Sequence, residues 1–251
     1  MKLLKRPQTK PAGGYSAFLH VLLVAVLPLL LFILVRLEFV AVAFFVVILS
    51  KWRMFAIRMR HWPAIIRANA VDIMTGFSVV AFMSLASDTQ SVQVAWMISY
   101  VLWLLFVKPR STPLMVGIQA MVAQTLSLIA VFLIGNEASD FVIVGSVAVI
   151  SYLSARHFLG AFDEAMAQAT AYCWAFFCGS LAWLSTRWLL FYGPISQPAL
   201  IITVIAYCLA AIYYLDHKDK LKKSLITQFV GLAVTIVLFI LIFSDWSGDI
   251  I

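Results

Sequence analysis

KWRMFAIRMRHWPAIIRANAVD, residues Lys51–Asp72, decides how this chain is read. Lys51, Arg53, Arg58, Arg60 and Arg67 fall within it, and no carboxylate offsets them before Asp72. Long apolar runs lie on either side. Basic residues between two apolar runs mark a segment held at the cytoplasmic face of a membrane. Trp52, Phe55 and Trp62 suit the interface, where aromatic rings sit at head-group level while Lys and Arg reach anionic lipid. The crowding of Arg58, Arg60 and His61 just before Pro63 exceeds what orientation requires. These three residues are therefore candidates for binding a partner or an anionic ligand.

Composition agrees with that reading. Of 251 residues, 64% are hydrophobic and only 12% are charged, against roughly 25% charged in an ordinary soluble domain. That much apolar surface needs the bilayer as its solvent. The net charge of +7 is gathered at the ends of apolar runs, so it indicates membrane orientation and not nucleic-acid binding. Cys173, Cys178 and Cys208 lie inside apolar runs without a CxxC spacing, and read as packing residues.

Working outward, each span needs about 20 mostly apolar residues. The sequence predicts an all-α polytopic protein with about nine spans: Tyr15–Val35, Leu37–Lys51, Ala68–Ala86, Val92–Val107, Pro113–Ile134, Phe141–Ala155, Ala165–Trp183, Pro198–Leu215 and Ser224–Phe243. The first is read as uncleaved, because its apolar run is too long for a signal peptide and no Ala-x-Ala site follows. Pro28 within it predicts a kink or a locally adjusted turn. The second is short. An inside N-terminus and an outside C-terminus place 16 of the 18 Lys and Arg residues on the inner side, leaving only Arg36 and Arg187 outside. Residues 1–14 are a basic cytoplasmic tail, 53–67 an interfacial basic segment, and the whole chain a single membrane domain. A bacterial cytoplasmic membrane is the expected location.

Four further features carry candidate chemistry. Ala167, Ala171, Ala175 and Gly179 recur every four residues, a small-residue face that lets another helix approach closely. That helix could belong to this chain or to another subunit, or the face could hold a lipid tail, quinone or pigment. Apart from Glu38 at the outer turn, Asp72 is the one carboxylate inside a predicted span, about one turn from its start. There the helix N-terminus and a basic neighbour such as Arg67 would hold its charge. With Gln119, Gln124 and His20 it could alternatively line a transport path.

The turn Arg156–Glu164 gathers Arg156, His157, Asp163 and Glu164 around Gly160. Helix dipoles and a left-handed glycine turn account for these charges. An anionic head-group site or a docking surface would use the same residues. His20, His61, His157 and His217 show no ligand spacing, and HExxH, P-loop, GxGxxG and GxSxG motifs are absent from the sequence, so no metal or cofactor is indicated. The reading that follows is a non-catalytic membrane subunit or assembly factor, working with other membrane subunits in a bilayer with anionic head groups. A small transporter and an inner-face enzyme acting on a lipid-linked or anionic substrate are the alternatives.

Overall fold

The computed structural model describes residues 15–51, 59, 62–110, 112–135, 138–162, 164–186, 191–192 and 195–244. The described part is all-α apart from one minimal ladder. Its helices are α1 (Tyr15–Arg36), α2 (Val40–Leu49), α3 (Trp62–Leu85), α4 (Gln90–Leu102), α5 (Pro113–Ile134), α6 (Asp140–Gly160), α7 (Ala167–Thr186), α8 (Gln197–His217) and α9 (Lys223–Phe243). A π-helical turn, Trp103–Val107, extends α4. Between α7 and α8, β1 (Phe191–Tyr192) and β2 (Ile195–Ser196) pair antiparallel, Phe191 opposite Ser196.

Six segments among the described residues are long and apolar enough to cross a bilayer: Ile65–Leu85, Gln90–Val107, Pro113–Ile134, Asp140–Gly160, Gln197–His217 and Lys223–Phe243. α7 has 20 residues but interrupts its apolar run with Gln168, Thr170, Ser180 and Ser185. α2 has only 10 residues, about 15 Å of rise against a hydrocarbon core of about 30 Å. The expected second span, Leu37–Lys51, is therefore a half-length helix in the described chain.

α3 is central and α9 peripheral: 61% of the apolar window of α3 is buried within the protein, against 6% for α9. α3 packs on α2, α4, α5 and α6, and α5 packs in turn on α6 and α8. Leu31, Val47, Val80, Leu128, Phe132, Val147 and Ile202 form the shared core. Phe141, Phe176, Leu184 and Ile242 point outward, each more than two-thirds exposed. Such a surface is untenable in water and natural against lipid. α9 packs chiefly on α8.

Local sequence explains several boundaries. Thr112 caps α5, its hydroxyl accepting from the Met115 N–H, with Pro113 in the first turn, where a missing N–H costs nothing. α1 runs unbroken through Pro28, which is fully buried. Its end is a Schellman turn: the Phe39 N–H donates to Leu34 C=O and the Glu38 N–H to Val35 C=O, with Glu38 at a positive φ of 63°. The end of α8 repeats the pattern, with Asp219 at φ 54° and the Lys220 N–H donating to Leu215 C=O.

Candidate functional site: a charged cluster at one end of the bundle

Asp72 lies on α3 and is largely buried. Because α3 begins at Trp62, Asp72 stands roughly three turns inside the helix. The expected position one turn from the N-terminus is corrected, since Trp62–Arg67 belongs to the helix and not to an interfacial loop. The helix dipole fades beyond the first turn, so another charge must balance Asp72. Lys51, just past α2, donates to Asp72 Oδ2 at 2.6 Å, and Lys108, just past the π-helical turn, approaches the same oxygen at 2.9 Å. One carboxylate thus ties the ends of two helices to the middle of a third. The two lysines were legible as charges ending apolar runs; their convergence on Asp72 was not.

A cleft of about 500 Å³ opens nearby, between α3, α5 and α6. Arg67, Arg156 and His157 supply its charged and titratable lining, with Ala68, Val116 and Gly160 completing the wall. No carboxylate lines it among the described residues. His157 Nε2 is buried without a hydrogen-bond partner among the described residues.

The expected turn Arg156–Glu164 is corrected as well. α6 continues to Gly160, because Phe158 and Leu159 bury themselves beside Phe162 and Ala167. Gly160 is the last helical residue, not a left-handed turn. As expected, Arg156 and His157 lie at the end of the sixth helix, His157 on its last turn and Arg156 just before it, where the negative end favours positive charge. Glu164 does not join them. It accepts a hydrogen bond from Tyr213 of α8, and that bond holds its carboxyl below the usual carboxylate range. Tyr213 stands among Phe158, Phe162 and His217, so Glu164 anchors the α6–α7 turn to α8.

The proposed polar path does not assemble from the described side chains. Gln119 donates to Val107 C=O at 2.6 Å and Arg110 C=O at 3.0 Å, closing the end of the π-helical turn. Gln124 lies elsewhere, facing a different cavity. His20 falls in α1, but its side chain lies outside the described part, as do Arg58, Arg60, His61 and Asp163. On α7, Ala167, Ala171, Ala175 and Gly179 are all buried. A Cβ at Gly179 would meet Ala148 Cβ at 3.4 Å, and α6 with α7 is the most extensive helix pair in the protein. The small-residue face is used inside the chain.

The cluster can hold an anion: Arg67 of α3 and Arg156 of α6 face a shared space. No group of three or more His, Cys, Asp or Glu among the described residues is arranged to hold a metal. No family model, curated protein or solved structure matches this chain.

Proposed function

We propose that this protein is a non-catalytic subunit or scaffold of a larger membrane complex, and that it receives an acidic segment of its partner in the cleft between α3, α5 and α6. The supporting observation is the convergence of Arg67, Arg156 and His157 on one space that no carboxylate lines among the described residues. Acid–base chemistry needs a titratable pair in reach of substrate. Among the described carboxylates near this end, Asp72 is engaged by two lysines and Glu164 by Tyr213, which favours binding over acid–base work.

In this reading the chain crosses a bacterial cytoplasmic membrane nine times, with its N-terminus inside, and the cleft faces the cytoplasm. The charge asymmetry supports that orientation. The positive charge of Arg156 at the cleft steers an acidic partner and fixes its register.

Gentle purification from the native membrane, followed by cross-linking and mass spectrometry, tests the proposal. A stoichiometric partner should be present, and Arg156→Glu should weaken its retention by on the order of tenfold or more. Two results would overturn it. One is a lone chain with no partner. The other is a chain carrying only anionic phospholipid that is lost in Arg156→Glu, which would make the cleft a head-group site.

A further inference from the structure

Between α5, α6, α7 and α8 lies a second cavity, of about 130 Å³, away from the charged cleft. Its wall is apolar and aromatic, with Met121, Phe158, Trp174 and Tyr213 prominent. Thr170 is exposed at its rim, and one buried amide breaks the pattern. Gln124 is 1% exposed, and neither its Oε1 nor its Nε2 has a hydrogen-bond partner among the described residues. An unpaired buried amide costs roughly 1–3 kcal/mol per group, and native proteins rarely leave one so. Adjoining this space, and sharing Met121, Gln124 and Ala206 with it, is a groove of about 220 Å³ between α5 and α8. Thr203 lines that groove, and its buried hydroxyl is also unpartnered.

These facts define what would fill the space. A cavity of about 150 Å³ with apolar walls takes a benzene-sized ring. The aromatic walls suit a flat ring. The amide offers both a donor and an acceptor, so a carbonyl or hydroxyl on that ring would satisfy it. The groove toward Thr203 gives a ring substituent or tail a way out along α5 and α8. A saturated acyl chain would fill the volume and leave Gln124 unpaired. We propose that this cavity binds a lipophilic ring compound bearing carbonyl or hydroxyl groups, the chemical class of prenylated quinones. The ring lies against Trp174 and Phe158, with its oxygen on Gln124. This site is independent of the partner cleft.

The test uses the full chain in detergent and a short-tailed decyl-benzoquinone as the probe. Saturable quenching of tryptophan fluorescence is expected, reduced in Trp174→Phe. Gln124→Met keeps the side-chain volume but removes the hydrogen bonds, and should weaken binding roughly tenfold. Thr203→Val should weaken it less, and Ala206→Phe should abolish it by filling the space. Gln124→Met should unfold at the same temperature as the parent or higher, because an unpaired polar group is removed; Thr203→Val and Ala206→Phe provide the binding readout if it does not fold. The proposal fails if the parent shows no saturable binding, which would leave the cavity to water. It also fails if Gln124→Met or Ala206→Phe binds as the parent does, or if a saturated fatty acid displaces the probe equally from parent and Gln124→Met.

Discussion

Replacing Asp72 with Asn would leave Lys51 and Lys108 facing each other without their shared carboxylate. Their side chains are 13% and 39% exposed, so water relieves part of the loss. A cost of about 2 kcal/mol is expected, below the roughly 3–5 kcal/mol of a fully enclosed pair. Adding Lys51→Met should recover part of it, because the more buried uncompensated charge is then gone. Thermal unfolding of the two variants in detergent checks this; a double variant no more stable than Asp72→Asn would refute the coupling.

Glu164 gives a pH prediction at the same scale. Its folded carboxyl titrates below its ordinary value of 4.5, so the unfolded chain takes up that proton first as pH falls. The tie to Tyr213 is therefore fully present above that value and is lost as pH drops below it, through the lower folded value. Amide protection at the α6–α7 turn, taken relative to the intrinsic exchange rate at each pH, should fall in that window. Tyr213→Phe should show the lower protection already at neutral pH.

Helix contacts and helix ends decide the next scale. A Cβ at Gly76 would lie 2.7 Å from Val47 Cγ1 and 2.9 Å from the Tyr100 hydroxyl, so α3 meets α2 and α4 through a glycine. Gly76→Ala gains about 1 kcal/mol of helix propensity but forces a shift costing about 1–3 kcal/mol. Net destabilisation is expected, and Val47→Ala in the same chain should reverse most of it. By contrast, a Cβ at Gly231 meets nothing within 4 Å, and Gly231→Ala should stabilise α9. Glu38→Gly and Asp219→Gly should each stabilise the protein by about 1 kcal/mol, since both turns hold a side chain in the left-handed region that glycine occupies freely. Melting temperatures of single variants decide each case.

Across the whole molecule, the count of crossings rests on α1, α2 and α7, which lie outside the six long apolar segments of the described residues. A half-length helix can complete a crossing only with help from the chain after Leu49. Reporter fusions settle the matter. With nine crossings, green fluorescent protein at the C-terminus should stay dark and alkaline phosphatase there should be active. A fluorescent C-terminus would mean an even number, with α2 dipping into the bilayer and returning.

How much was legible varied by residue. The helices from Pro113 to Ile134 and near Lys223 to Phe243 were read almost to the residue, because apolar length and flanking Pro or Lys are properties of the sequence alone. α6 ran past its predicted end because Phe158 and Leu159 found a hydrophobic site among distant residues, Tyr213 among the aromatic rings there. The cleft was half visible: Arg156 and His157 were named together, whereas Arg67 was placed in a loop. Lys51 and Lys108 are 57 positions apart in the chain, and no local pattern could announce that both reach Asp72.

By itself, the sequence determined that the chain is helical and that lipid must be its solvent. Those properties follow from side-chain transfer energies and local periodicity, which need no partner. Only the tertiary structure decided how the charges of Lys51–Asp72 are used. Lys51 and Asp72, the two ends of that stretch, are joined to each other and to Lys108 because burial raises the cost of an isolated charge, and only packing determines which opposite charges come within reach.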